Sequence, residues 1–121
     1  MNQLKKRLRA FGFAFVGLRN AFLREVHVKL HFFIATVVII SGFYFGLSQM
    51  EWIVVSACIT LVISLELINS GIEQLCNLLE PETNAKIKYI KDVCAAGVLI
   101  ACIFSVLVGF LVFWPYISSC F

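Results

Sequence analysis

Charge is scarce in this chain: Asp, Glu, Lys and Arg make up 14% of its 121 residues, against 61% for the hydrophobic types. Residues 93 to 121 carry no charge, and residues 30 to 50 carry none beyond the titratable His31. Both runs match or exceed the roughly 20 apolar residues that cross a hydrocarbon core of about 30 Å, which excludes an ordinary water-soluble domain. The five cysteines, Cys58, Cys76, Cys94, Cys102 and Cys120, include no CxxC pair. A disulfide framework or thiolate metal site is therefore not expected, and the thiols serve as small apolar packing groups. The chain has no GxxxxGK[ST] or GxGxxG stretch, so any nucleotide chemistry cannot rest on a P-loop or a protein-kinase glycine loop. Residues 1 to 24 lack an apolar core and a small-residue cleavage site, so they are expected to stay on the protein as more than a signal peptide.

The charges that are present are unevenly placed. All ten Lys and Arg residues lie either before residue 30 or between Lys86 and Lys91. By the positive-inside rule these two regions face the cytoplasm, and the turn at 48–51 and the C-terminus face outward. That arrangement requires three crossings. The net charge of +3 thus reports orientation, and no nucleic-acid partner is expected. The middle crossing is apolar only in its first half, from Trp52 to Leu65. The expected architecture is an all-α membrane protein with one domain over residues 1–121. It comprises an interfacial helix at 1–28, transmembrane helices at 29–48, 51–79 and 92–117, and a cytoplasmic loop at 80–91.

Leu4, Leu8, Phe11, Phe15, Leu18 and Phe22 recur at helical spacing, with Lys6, Arg9 and Arg24 on the other side. An apolar stripe opposite a cationic face describes a helix lying in the membrane interface. Tyr44, Trp52, Trp114 and Tyr116 flank the outer ends of the spans, where amphipathic rings favour the interface. Pro115 is expected to end or fray the last helix, because it cannot donate a backbone hydrogen bond. The segment EPETNAKIKYIKD is the one sizeable polar connection, long enough to fold over a ligand.

The stretch SLELINSGIEQLCNLLEP, residues 64 to 81, interrupts the middle span with carboxylates. At about 100° per residue Glu66, Asn69, Glu73 and Asn77 fall within about 80° of one another, on one narrow stripe. Glu66 lies about 21 Å along the helix from Trp52 and Glu73 about 10 Å further, so the stripe runs from lipid depth to the cytoplasmic surface. A carboxylate in the bilayer costs at least about 2.5 kcal/mol and by default faces a bundle interior with a task to perform. Carboxylates near the surface beside Lys91 suit Mg²⁺, which takes few protein ligands and completes its shell with water and phosphate oxygens. Phosphoryl transfer needs such a metal, a cation to take up charge, and a group to orient or deprotonate the acceptor hydroxyl. Glu66 is deep enough to reach an acceptor embedded in lipid. Lys91 and Asp92 open the last span, and Cys94, Ala95, Ala96 and Gly97 after them let helices approach closely. A competing reading is a non-enzymatic membrane subunit whose stripe serves assembly or ion passage.

ELINSGIEQLCN followed by KDVCAAGVLI resembles the ExxN[ST][AG]IExxxD and KDxxAAAV signatures of the small prokaryotic integral-membrane lipid kinases, the diacylglycerol kinase and undecaprenol kinase family. The likeness covers nearly the whole chain, including GLRNAFLRE before the first span. It implies a homotrimer in the bacterial cytoplasmic (inner) membrane, with active sites shared between protomers and ATP and Mg²⁺ used to phosphorylate a lipid hydroxyl. It further implies that Glu66 is the catalytic base and Asn69 its support, and that Glu25 and Glu73 hold the metal and ATP. Lys91 and Asp92 would contact ATP, with Glu82, Thr83 and Asn84 from the loop and Lys6 near the N-terminus. Two positions depart from the pattern: Asn77 replaces the usual aspartate, and Phe13 a nucleotide-contacting tyrosine. His31 within EVHVKLH and the FWPYI ending resemble the undecaprenol branch, so undecaprenol is the favoured acceptor and diacylglycerol the alternative.

Overall fold

The computed structural model describes residues 2–79 and 84–121. Among them it has four helices and no strand: α1 (Gln3–Arg24), α2 (Val26–Phe45), α3 (Gln49–Leu79) and α4 (Ala85–Ser118). The last three are each long and apolar enough to cross a membrane, and the chain is a membrane protein. At about 1.5 Å per residue α3 and α4 reach roughly 46 and 51 Å, longer than a hydrocarbon core. One end of each therefore projects beyond the lipid.

The hairpin between α2 and α3 is built from local chemistry. Gly46 adopts the left-handed conformation (φ 71°, ψ 59°), which costs a residue with a Cβ about 1–2 kcal/mol. The amides of Gly46 and Leu47 both donate to the Gly42 carbonyl, at 3.0 and 3.1 Å. Ser48 and Glu51 then form a reciprocal capping box: the Glu51 amide donates to Ser48 Oγ (3.2 Å) and the Ser48 amide to Glu51 Oε1 (2.9 Å). Gly42 faces Trp52 so closely that a Cβ there would stand 2.5 Å from the ring.

Packing follows a seven-residue rhythm. On α2 the buried positions are Val28, Ala35 and Gly42, and on α3 Val55, Cys58, Val62, Glu66, Ser70 and Cys76. The spacings of three, four and seven up to Ser70 keep one seam of each helix against its neighbour. Glu66 thus occupies a position that Val55, Cys58 and Val62 occupy elsewhere on the same seam. Helix α4 runs alongside α3 over most of its length. Tyr116 donates to Glu51 at one end, and Lys91 Nζ donates to Asn77 Oδ1 at the other, at 2.6 Å.

Three boundaries differ from expectation. The first helix stops at Arg24, and Glu25 alone is extended (φ −101°, ψ 117°) before α2 begins; no Gly or Pro marks that break. The segment expected as a loop over 80–91 is helical from Ala85, because the Asn84 side chain accepts from the Ile87 amide at 2.9 Å and caps α4. Pro115 does not end α4, which continues to Ser118. Only the one turn-to-turn bond from residue 115 is lost, and the Tyr116–Glu51 bond with the Phe45–Tyr116 ring contact (5.8 Å) holds the segment in place. Helix α1 meets α2 through an edge-to-face pair, Phe22 and Phe32, at 5.5 Å. Leu4, Leu8, Phe11 and Phe15 of its stripe are exposed, and Leu18 is half-buried.

Candidate active site

Along α3 the polar stripe is graded by burial. Glu66 is only 6% exposed, Asn69 is half-buried, and Glu73 and Asn77 are exposed. Glu66 meets His31, which approaches from the packed face of α2 with Nε2 3.6 Å from Glu66 Oε2. That distance is longer than a hydrogen bond and within the range of a charge or dipole contact. Both come from seam positions, so helix packing sets their separation.

Next to this pair a cleft of about 280 Å³ opens between α2, α3 and α4. His31, Val62 and Cys102 line its end nearest Glu66, and Val55, Gly109 and Phe113 its far end. Its walls are almost wholly apolar. Ser105 supplies the exception, a buried hydroxyl without a hydrogen-bond partner among the described residues. A deep carboxylate at the head of an apolar cleft suits an amphiphile whose hydroxyl must sit beside Glu66 and whose chain must stay out of water.

At the projecting end of α3 the other polar residues gather. Glu25, at the junction of α1 and α2, accepts from Gln74 Nε2 at 3.4 Å. This contact brings the α1–α2 junction to the turn of α3 that carries Glu73. Lys91, half-buried on α4, is held by Asn77, and the amide oxygen positions the ammonium without neutralising it. Asp92 instead pairs with Lys88 one turn back on the exposed side of α4 (2.6 Å), a pair worth about 0.3–0.5 kcal/mol. The Asn84 side chain is engaged in capping. Lys6 is exposed near the start of α1, about 28 Å along the helix axis from Glu25, so these two could touch only opposite ends of one ligand. Glu82 and Thr83 lie outside the described residues. No group of three or more His, Cys, Asp or Glu side chains converges among the described residues. A site with one or two carboxylates fits Mg²⁺ bound jointly with phosphates, and does not fit a cage built of protein ligands alone.

Sequence reasoning did not anticipate Gln74 against Glu25, or the Tyr116–Glu51 bond at the hairpin end. It left His31 without a structural partner. None of these carries a local signal, since the partners are separated by 49, 65 and 35 residues and meet only through helix packing.

Comparison with known proteins gives a consistent result. Residues 12–113 match the prokaryotic diacylglycerol kinase family. The undecaprenol kinase of Bacillus subtilis is 31% identical over 114 residues, covering 94% of this chain and 93% of that protein. The diacylglycerol kinase of Haemophilus influenzae is 31% identical over 99 residues, covering 81% and 84%. A diacylglycerol kinase of Synechocystis is 30% identical over 111 residues, covering 91% of this chain and 63% of that protein.

Proposed function

The chain belongs to the prokaryotic diacylglycerol kinase family, and on that premise we propose that this lipid kinase transfers the γ-phosphoryl group of ATP to the hydroxyl of undecaprenol. Family membership sets aside the reading of a non-enzymatic subunit. The observation that carries the proposal is Glu66, buried on α3 beside His31, which lines an apolar cleft. In this reading Glu66 removes the proton from the lipid hydroxyl, the oxygen forms a bond to the γ-phosphorus, and the bond from phosphorus to the bridging oxygen of ADP breaks. Asn69, one turn along the same stripe, supports the acceptor. Glu25 and Glu73 would hold Mg²⁺, which when bound offsets charge on the phosphates. Lys91 and Lys6 would contact the nucleotide, with Asp92, Glu82, Thr83 and Asn84 around it.

The acceptor choice rests on His31 and on the FWPYI ending, which resemble the undecaprenol branch. Diacylglycerol is the competing acceptor, because relatives named for it match at the same level of identity. The cation distribution supports a cytoplasmic N-terminus and an outward C-terminus in the bacterial inner membrane. The exposed apolar stripe of α1 supports its lying in the interface. Assembly as a homotrimer in which sites are shared rests on the family resemblance. The test is incubation of the purified protein with labelled ATP and Mg²⁺, offering undecaprenol and diacylglycerol in equal amounts. Label in undecaprenyl phosphate is the expected result. Label confined to phosphatidic acid would reverse the acceptor choice, and no labelled lipid would overturn the kinase reading.

A further inference from the structure

His31 both lines the cleft and stands beside the Glu66 carboxylate. It follows Val28 by three residues and precedes Ala35 by four, and these two are buried. The imidazole therefore leaves the packed face of α2, where neighbouring side chains restrict its rotamers. Glu66 is fixed in the same way between Val62 and Ser70 on the seam of α3. Among the described residues Glu66 has no hydrogen bond, and none of the Lys and Arg side chains pairs with it; the imidazole stands within ion-pair range at 3.6 Å. Cys102 on α4 is the other ionisable side chain at this end of the cleft. Both partners are shielded, with side-chain exposures of 16% for His31 and 8% for Glu66.

We propose that His31 is the positioning residue for Glu66, its Nε2–H donating to Glu66 Oε2 and leaving Oε1 free to accept the lipid hydroxyl. This inference rests on the reading of Glu66 as the base. A carboxylate held through one oxygen presents the other in a fixed direction, and reaction rates depend steeply on such alignment. The separation of 3.6 Å fits a bond that closes when acceptor and nucleotide are in place, since catalytic hydrogen bonds are often long before substrates bind. The imidazole also lines the cleft, so the group that aims the base borders the space the chain of the acceptor would take. His31 and Glu66 are 35 positions apart in sequence, and only the packing of α2 on α3 makes them a unit.

The experiment compares His31→Ala and His31→Gln with the wild-type protein in mixed micelles containing Mg²⁺, ATP and the lipid phosphorylated by wild type. Gln offers an N–H donor at similar reach, whereas Ala offers none. His31→Ala should lose at least about tenfold in kcat with the KM for ATP unchanged, and His31→Gln should recover most of the loss. Thermal stability of the oligomer is measured alongside. Wild-type kcat in His31→Ala overturns the inference. So does a loss that His31→Gln fails to restore while both variants melt at the wild-type temperature. Loss of kcat only in step with melting assigns His31 to packing and overturns it too. Wild-type protein that phosphorylates no lipid would overturn the kinase reading, and this inference with it.

Discussion

The two ends of the bundle use the same residue types to opposite effect. At the hairpin end the Glu51 carboxylate is engaged through Oε1, which accepts from the Ser48 amide in the capping box and from the Tyr116 hydroxyl. At the other end Glu73 has no hydrogen bond or ion pair among the described residues, Glu25 has one long contact at 3.4 Å, and Glu66 has the imidazole at 3.6 Å. Polar groups that satisfy one another stabilise a fold. Glu66 and Glu25 stand beside partners without a full set of hydrogen bonds and Glu73 is exposed, so these carboxylates stay open to a ligand.

The comparison breaks if the two kinds of carboxylate respond alike to mutation. Glu66→Gln keeps the shape of the side chain and removes the base, so kcat should fall by at least about 100-fold. The elution volume and the melting temperature should be unchanged in size exclusion and thermal unfolding. Glu51→Ala should do the reverse, lowering the melting temperature by a few degrees while each folded molecule keeps its activity. Assembly lost in Glu66→Gln would mean that the deep carboxylate is structural after all.

A smaller effect separates charge from position at the ligand end. If Lys91 contacts ATP, Lys91→Met should raise the KM for ATP by about tenfold or more, the cost of losing a charge-assisted contact to phosphate. Asn77→Ala leaves the ammonium in place but unheld, so the KM for ATP should rise only about two- to tenfold, the worth of one hydrogen bond. Asn77→Asp restores an acceptor for Lys91 and should return the KM to within about twofold of wild type. Equal losses in Asn77→Ala and Asn77→Asp would remove Asn77 from this role.

Much of the fold was legible because lipid is a demanding solvent. Uncharged runs announced the spans, and the 3.6-residue period put Glu66, Asn69, Glu73 and Asn77 on one stripe whose gradation from buried to exposed the structure reproduces. What was not legible depends on which helix faces which. The contact of His31 with Glu66 requires that two seams meet, and hydropathy does not give helix pairing. The helix start at Ala85 was readable in principle, since Asn84 is a strong capping residue. It was obscured by polar composition, which resembles a loop when a helix end extends beyond the membrane. Pro115 misled for a related reason: its local effect is real, but contacts from Tyr116 and Phe45 outweigh it.

The smallest effects sharpen the comparison at the level of backbone geometry. Gly46→Ala places a Cβ on a residue at φ 71° and should cost about 1–2 kcal/mol. Gly42→Ala meets the Trp52 ring at 2.5 Å and should cost a similar amount, about 1–3 kcal/mol, through overpacking. Both losses would register in unfolding and leave the KM for ATP unchanged, because the hairpin lies at the opposite end of α3 from Glu73. Lys88→Ala marks the lower limit. It breaks an ion pair whose two side chains are 67% and 63% exposed, worth no more than about 0.5 kcal/mol. If Asp92 contacts the nucleotide, freeing it from Lys88 changes the KM for ATP while the melting temperature stays fixed. An unchanged KM in Lys88→Ala would instead group Asp92 with Glu51, as a charge whose work is finished once the helix is formed.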